Sequence, residues 1–200
     1  MSLAGRRILV TGAARGLGET LARHLAGVGA ELILADILEE EGRAIADGLG
    51  ASFHPLDLRD PDSITMLADK IGGPLYGLVN NGAIATGIGG IGFEDVEIDT
   101  FNRVMEVNVR GTWLMTKAMV PLLRQAEGGR IVNVASDTAL WGAPNLISYT
   151  ASKGAVISMT RSLARELGPD GVGVTAIAPG ILTTQSTDYV PRARHAHYEE

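Results

Sequence analysis

The chain of 200 residues contains no cysteine, which excludes disulfides, thiolate metal sites and a cysteine nucleophile. It has no apolar run approaching the ~18 residues of a membrane span, so no membrane association is expected. It has no basic excess either: 17 lysines and arginines against 23 acids leave a net charge of −6. A nucleic-acid binder needs basic surface to neutralise phosphates, so this balance argues against nucleic acid as a partner. The first seven residues run directly into an apolar strand pattern and leave no room for a signal peptide; the expected location is cytoplasmic. Aromatics are scarce at 4%, whereas glycine is abundant at 26 residues and hydrophobic content is 46%. Glycines set among apolar runs indicate tight strand-to-helix turns and close backbone packing, not disorder. A single domain over residues 1–200 is expected.

Residues 6–10 end in Ile8-Leu9-Val10, the continuous apolar run of a strand buried on both faces. Thr11-Gly12-Ala13-Ala14-Arg15-Gly16-Leu17-Gly18 follows, and then a helical pattern over 19–28 with Leu21, Ala22, Leu25 and Val28 on its apolar side. Strand, glycine turn and helix together form an anion cradle: glycine lets a pyrophosphate approach the backbone, and the helix start offers free N–H groups and a positive dipole end. Gly12, Arg15, Gly16, Leu17 and Gly18 are therefore candidate dinucleotide-binding residues. A second strand, 31–35, closes on Asp36, eighteen residues after Gly18, where a ribose-binding carboxylate falls in such folds. A carboxylate there accepts from ribose hydroxyls and repels a 2′-phosphate, which favours NAD over NADP. Arg15 pulls toward NADP, since a guanidinium could meet that phosphate.

After a helix over 37–49, a third strand, 51–56, leads to Asp57-Leu58. Asp57 either holds an adenine amino group or caps the next helix beside Pro61 and Asp62. A fourth strand, 75–79, ends in Asn80-Asn81-Gly82-Ala83, two amides and two tiny residues that suit a cofactor sugar close to the backbone. Residues 84–91 form a glycine-rich loop expected at the substrate mouth. The longest helical pattern runs over about 98–127 and contains Asn108 among Val104, Val107 and Val109, as a structural bridge or the holder of a water. The fifth strand, 130–135, delivers Ser136 to a carboxyl end, the place where parallel sheets put ligands. A sixth strand, 172–178, turns at Pro179-Gly180. His195 and His197 have no third ligand nearby, so no metal site is expected.

Tyr149 and Lys153 are four residues apart in a helical pattern, which puts a phenol and an ammonium side by side on one face. The ammonium favours the phenolate, and the phenol becomes a tuned general acid/base. Six strand patterns with five helical stretches between them make an alternating α/β chain, hence a parallel sheet covered by helices on both faces.

With these residues assembled, the sequence resembles the short-chain dehydrogenase/reductase family over about residues 6–184. The shared features are the Thr11–Gly18 turn, Asp57, Asn108, Ser136 thirteen residues before the tyrosine, Tyr149-x-x-x-Lys153, and Pro179-Gly180 with Thr184. The resemblance implies a Rossmann-type doubly wound sheet of order 3-2-1-4-5-6, with a seventh strand beyond residue 200, and a homotetramer or homodimer. It implies hydride transfer between a nicotinamide and an alcohol or carbonyl carbon. Tyr149 would exchange the substrate proton, Lys153 would tune it and bond the nicotinamide ribose, Ser136 would hold the substrate oxygen, and Asn108 would position a relay water. Cofactor contacts would extend to Leu58, Asn80, Gly82, Pro179, Gly180, Ile181 and Thr184. Asp137, Thr138, Trp141 and Asn145 would wall the substrate pocket with Ser136 and Tyr149, together with Leu140, Tyr189 and the 84–91 loop; a cyclic or aromatic secondary alcohol would suit it. An NADPH-dependent ketoreductase and a non-catalytic NAD-binding regulator are the alternatives. The family pattern Asn-Asn-Ala-Gly is here Asn80-Asn81-Gly82-Ala83, for which a shifted backbone is expected.

Overall fold

The computed structural model describes residues 2–182, and along them strands and helices alternate. β1 (Arg7–Thr11), α1 (Gly16–Gly27), β2 (Glu31–Asp36), α2 (Glu39–Leu49), β3 (Ser52–Pro55), α3 (Pro61–Ile71) and β4 (Gly77–Asn80) form the first half. α4 (Ile98–Met105), α5 (Thr112–Leu123), β5 (Arg130–Val134), α6 (Thr138–Trp141), α7 (Ile147–Leu167) and β6 (Gly173–Ile177) follow. The six strands make one parallel sheet in the order β3-β2-β1-β4-β5-β6, the Rossmann-like order.

Continuous apolar runs become two cores because successive strand residues face opposite sides. Leu9, Ile33, Leu78 and Ile131 pack beneath α3 and α5 with Leu67, Met115 and Met119. Ile8, Val10, Leu32 and Leu34 pack on the other side with Ala22 of α1 and Ala46 of α2. Because all strands are parallel, their carboxyl ends lie along one edge. β1 pairs with both β2 and β4 there, so the chain order reverses at β1 and opens a crevice.

Some boundaries differ from the sequence reading for local reasons. The strand expected over 75–79 begins at Gly77, because the Leu75 N–H goes to Leu122 O of α5 at 3.1 Å. The long helical pattern ends at Leu123 and is continuous through a π-helical turn, Glu106–Gly111, that joins α4 to α5. Gly111 is needed in that turn: a Cβ would lie 2.9 Å from Leu58 Cβ and from Leu58 O. The start of α3 is capped by Asp60, whose carboxylate accepts the Asp62 N–H at 2.9 Å, with Pro61 in the first turn. No helix among the described residues is long and apolar enough to cross a membrane.

Candidate active site

The crevice at the strand ends is a cleft of about 510 Å³. Its floor is the glycine turn after β1, and backbone sterics explain each glycine. Gly12 has φ +64, and a Cβ on it would lie 2.6 Å from Gly82 Cα. A Cβ on Gly18 would lie 1.9 Å from Gly12 O, so α1 can start against the turn only without a side chain there. Gly16 has φ +59, the left-handed region that glycine enters freely. Arg15, which precedes α1, makes no side-chain cap to the helix. The first-turn N–H groups therefore face a cradle that a pyrophosphate can fill.

Two residues that the sequence reading quoted only as parts of longer motifs lock this cradle. Thr11 Oγ1 accepts from Asn81 N at 3.1 Å and Gly82 N at 3.0 Å and donates to Val79 O at 3.3 Å. Asn81 Nδ2 donates to Thr11 O at 3.0 Å and Gly12 O at 2.9 Å. The signal was their position, a hydroxyl and an amide at the ends of adjacent strands. The Gly82-Ala83 order fits the same packing, since a Cβ on Gly82 would come within 3.0 Å of Leu58 Cδ1.

Gly12, Arg15, Leu17, Gly18 and Asp36 line the cleft at β1 and β2, Asp57, Leu58 and Gly82 at β3 and β4, and Ser136, Tyr149, Lys153, Pro179 and Gly180 at its far end. Asp36 is buried, and its oxygens accept from Ala14 N at 2.9 Å and Leu38 N at 3.0 Å, which fixes the carboxylate at the rim. Asp57 does not cap α3. It accepts the Arg59 guanidinium at 2.6 to 3.2 Å, and that hydrogen-bonded charge holds its carboxyl below the usual carboxylate range. Ala83 and Ile84, from the strand-end motif and the loop expected at the substrate mouth, line the cleft too, as do Arg59, Arg103 and Val107, which were not anticipated there. Val107 and Arg103 follow from helical spacing, one turn apart on one face.

Several expected contacts lie elsewhere. The Asn80 side chain turns into the core, donating to Thr116 Oγ1 at 3.2 Å and Asn133 Oδ1 at 2.8 Å, and it does not line the cleft. Gly16 and Ile181 do not line it either. Asp137, Thr138, Trp141 and Asn145 do not line it, and Leu140, Trp141 and Asn145 are exposed. Thr184, Tyr189, His195 and His197 lie outside the described residues.

Asn108, in the π-helical turn, is fully buried and acts as a bridge. Its Oδ1 accepts Ile84 N at 2.8 Å, while Nδ2 donates to Ile84 O at 3.0 Å and to Ser152 Oγ at 3.0 Å. Ser152 Oγ donates in turn to the Tyr149 carbonyl at 2.7 Å. Ser152 was detectable as one of the three residues between the two already singled out on α7.

Ser136 Oγ accepts from Thr138 Oγ1 at 2.8 Å and Thr138 N at 3.3 Å. Its own proton has Asp137 Oδ1 at the long distance of 3.4 Å. Lys153 is 4% exposed, donates to Val134 O at 2.7 Å, and places Nζ 5.6 Å from the centre of the Tyr149 ring. Burial lowers the lysine pKa from 10.5 to about 8, so it is still mostly protonated at neutral pH. A hydroxyl, a phenol and a buried ammonium thus share one end of a cleft whose other end is an anion cradle.

Comparison with known proteins places this geometry. The sequence profile described as short chain dehydrogenase matches residues 6–195. A 3-alpha-(or 20-beta)-hydroxysteroid dehydrogenase of Mycobacterium tuberculosis is 39% identical over 94% of this chain and 74% of its own. Two solved structures share the fold. The 3-ketoacyl-(acyl-carrier-protein) reductase of Brucella melitensis complexed with NADH has a TM-score of 0.87 and 34% identity, over 92% of this chain and 79% of that one. The RhlG/NADP complex of Pseudomonas aeruginosa has a TM-score of 0.91 and 28% identity, over 99% of this chain and 82% of that one.

Proposed function

The chain belongs to the short-chain dehydrogenase family and is an oxidoreductase acting on alcohols and ketones; from that premise we propose an NAD-dependent dehydrogenase for a cyclic secondary alcohol, with Tyr149 as general acid/base. The observation that carries the reading is the buried Lys153 ammonium beside the Tyr149 ring, in the same cleft as Ser136 and the glycine cradle.

The cradle fits a dinucleotide: the positions that a Cβ would fill are glycines, and the start of α1 is uncapped. Gly12, Gly18 and Gly82 would admit the pyrophosphate side, Asp36 and Asp57 the adenosine side, and Lys153 the nicotinamide ribose. When bound, the nicotinamide supplies the hydride acceptor or donor. Tyr149 takes the hydroxyl proton of the alcohol, or returns it to a carbonyl. An ammonium next to a phenol favours the charged form, and Lys153 carries that charge in a site poor in water. The Ser136 hydroxyl, held from behind by Thr138, donates to the substrate oxygen and aligns it with Tyr149. Asn108 holds Ile84 and Ser152, and through Ser152 the backbone of the catalytic turn; this is the bridging branch of its expected roles.

NAD is favoured by Asp36, whose anchored carboxylate opposes a 2′-phosphate. The second reading, an NADPH-dependent reductase, is supported by Arg15, an exposed guanidinium on the rim of the same cleft. A cyclic substrate is supported by the hydroxysteroid in the name of the mycobacterial relative. Assembly into a homotetramer or homodimer through the helices over 102–127 and 149–167 is part of the reading, supported by the exposed Trp113 on α5.

The test is reduced-nicotinamide production from a panel of secondary alcohols, with NAD and with NADP, by wild type and Tyr149→Phe. Expected is turnover with NAD that falls by about 10²–10⁴-fold in the variant while cofactor binding is kept. Turnover unaffected by the substitution removes Tyr149 from the mechanism, and turnover confined to NADP transfers the reading to the reductase.

A further inference from the structure

Among the described residues, one that is not glycine has a positive φ: Asn145, at +56°. A Cβ is costly there, and asparagine tolerates the region better than most residues. Its side chain is exposed and does not line the cleft. Its carbonyl accepts the Gly90 N–H at 2.8 Å, which ties the 84–92 loop to the segment that leads into α7. The contact is close on both sides. A Cβ on Gly89 would lie 2.6 Å from Leu146 Cδ1 and 3.4 Å from Asn145 O, and Gly90 itself has φ +88.

Both tied segments reach the active site at their other ends. Ile84, where the loop begins, lines the cleft and is held at its N–H and its carbonyl by Asn108. The Leu146 carbonyl, one residue after Asn145, accepts the Thr150 N–H at 3.0 Å in the first turn of α7, the turn that carries Tyr149. Tyr149 O accepts from Ser152 Oγ, which accepts from Asn108 Nδ2. The contacts therefore close a ring from Asn108 through Ile84, Gly90, Asn145 and Tyr149 back to Asn108. Cutting the Gly90–Asn145 bond opens that ring at its most exposed point. Close to it along the chain, Ile91, Phe93 and Ile147 are exposed, apolar surface suited to a hydrocarbon ring.

We propose that Asn145 is a positioning residue: through its left-handed backbone it clasps the 84–92 loop to the start of α7 and sets the mouth through which a cyclic alcohol reaches Tyr149. The clasp stands on geometry alone; its kinetic consequence rests on the dehydrogenase reading. The Asn145 side chain is dispensable as long as the backbone conformation is kept.

The variants are Asn145→Val, which opposes the left-handed conformation, Asn145→Gly, which permits it, and Gly89→Val, which pushes on Leu146 from the opposite side. Amide hydrogen exchange of the 84–92 loop reads the clasp without reference to activity. Exchange at Gly90 should quicken about tenfold in Asn145→Val, the weight of a β-branched residue in that region. With NAD saturating, KM for cyclohexanol should rise by about three- to tenfold with kcat changed less than about twofold, and KM for 2-butanol should hold. Gly89→Val should reproduce both effects, and Asn145→Gly should restore both to wild type. Unchanged exchange in Asn145→Val overturns the clasp. Equal loss in Asn145→Gly overturns the backbone argument and gives the role to the side chain. Altered exchange in an enzyme that turns over no alcohol leaves the clasp standing and refutes the dehydrogenase reading instead.

Discussion

Lys153 gives the structure its most quantitative test, because one cause moves it. The side chain is 4% exposed, and desolvation lowers its pKa from 10.5 to about 8. Below pH 8 the group is protonated in both the folded and the unfolded chain, and the folded state carries the full cost of burying an ammonium. Between about 8 and 10.5 the unfolded chain binds the proton and the folded chain releases it, so stability rises with pH across this window and levels off above it. A shift of about 2.5 units corresponds to about 3 kcal/mol, acquired at up to about 1.4 kcal/mol per pH unit.

The perturbation is Lys153→Met, which keeps much of the stem volume and removes the titration. At pH 7 two effects oppose each other: the variant is relieved of the buried charge, but Val134 O loses its donor at 2.7 Å, a cost of about 1–3 kcal/mol. The net change near neutrality should be within about 2 kcal/mol. The informative quantity is the difference between wild type and variant across pH, in which the tyrosines and the other lysines cancel. Urea unfolding followed by circular dichroism from pH 7 to 10.5 should show wild type gaining about 3 kcal/mol on the variant. A difference that stays flat means the ammonium is solvated as in the unfolded chain. A difference that falls with rising pH means the folded state raises this pKa, and the account of a desolvated lysine is wrong.

The cradle and the core make separate predictions. Gly18→Ala places a methyl 1.9 Å from Gly12 O, a backbone atom that cannot rotate away, so α1 must retreat from the turn. The expected result is a stability loss of about 1–3 kcal/mol in thermal unfolding together with loss of cofactor affinity by fluorescence titration, and full affinity in this variant would show that the cradle does not bind the cofactor. Asn80→Ala removes donors to Thr116 and Asn133 but touches nothing in the cleft. It should cost about 1–3 kcal/mol of stability in urea unfolding while cofactor affinity changes less than about twofold, and a large affinity loss at unchanged stability would return Asn80 to the cofactor site.

The sheet was legible because strands buried on both faces read as unbroken apolar runs, and Ile8-Leu9-Val10 and Leu32-Ile33-Leu34 say as much with or without a structure. The glycine turn was legible because its constraint is negative: Gly12 and Gly18 are where any side chain collides with backbone. Tyr149 and Lys153 were brought to one cleft by helical spacing alone. The capping carboxylate was a near miss. Pro at the start of α3 requires the cap one residue earlier, at Asp60, and Asp57 is too far upstream, where Arg59 engages it instead.

Asn80 shows what a strand-end motif leaves out, namely parity. Leu78 belongs to the core beneath α5, so Asn80, two residues on, faces the same side, and its register partner Asn133 does so through Ile131. The two amides meet there with Thr116 of α5 and Thr160 of α7, and the second Asn133 group, Nδ2, donates to Thr160 Oγ1 at 2.9 Å. Counting by twos from the apolar residues was enough to turn Asn80 away from the ligand and Asn81 toward the turn. Asn145 is a different case. Its conformation is fixed by a loop more than fifty residues earlier in the chain, through Gly90, and no pattern within 142–147 carries that information. Residues that act by their own chemistry or by periodicity are readable in advance, whereas a residue that acts by lending its backbone to a distant loop becomes visible only when both loops are in place.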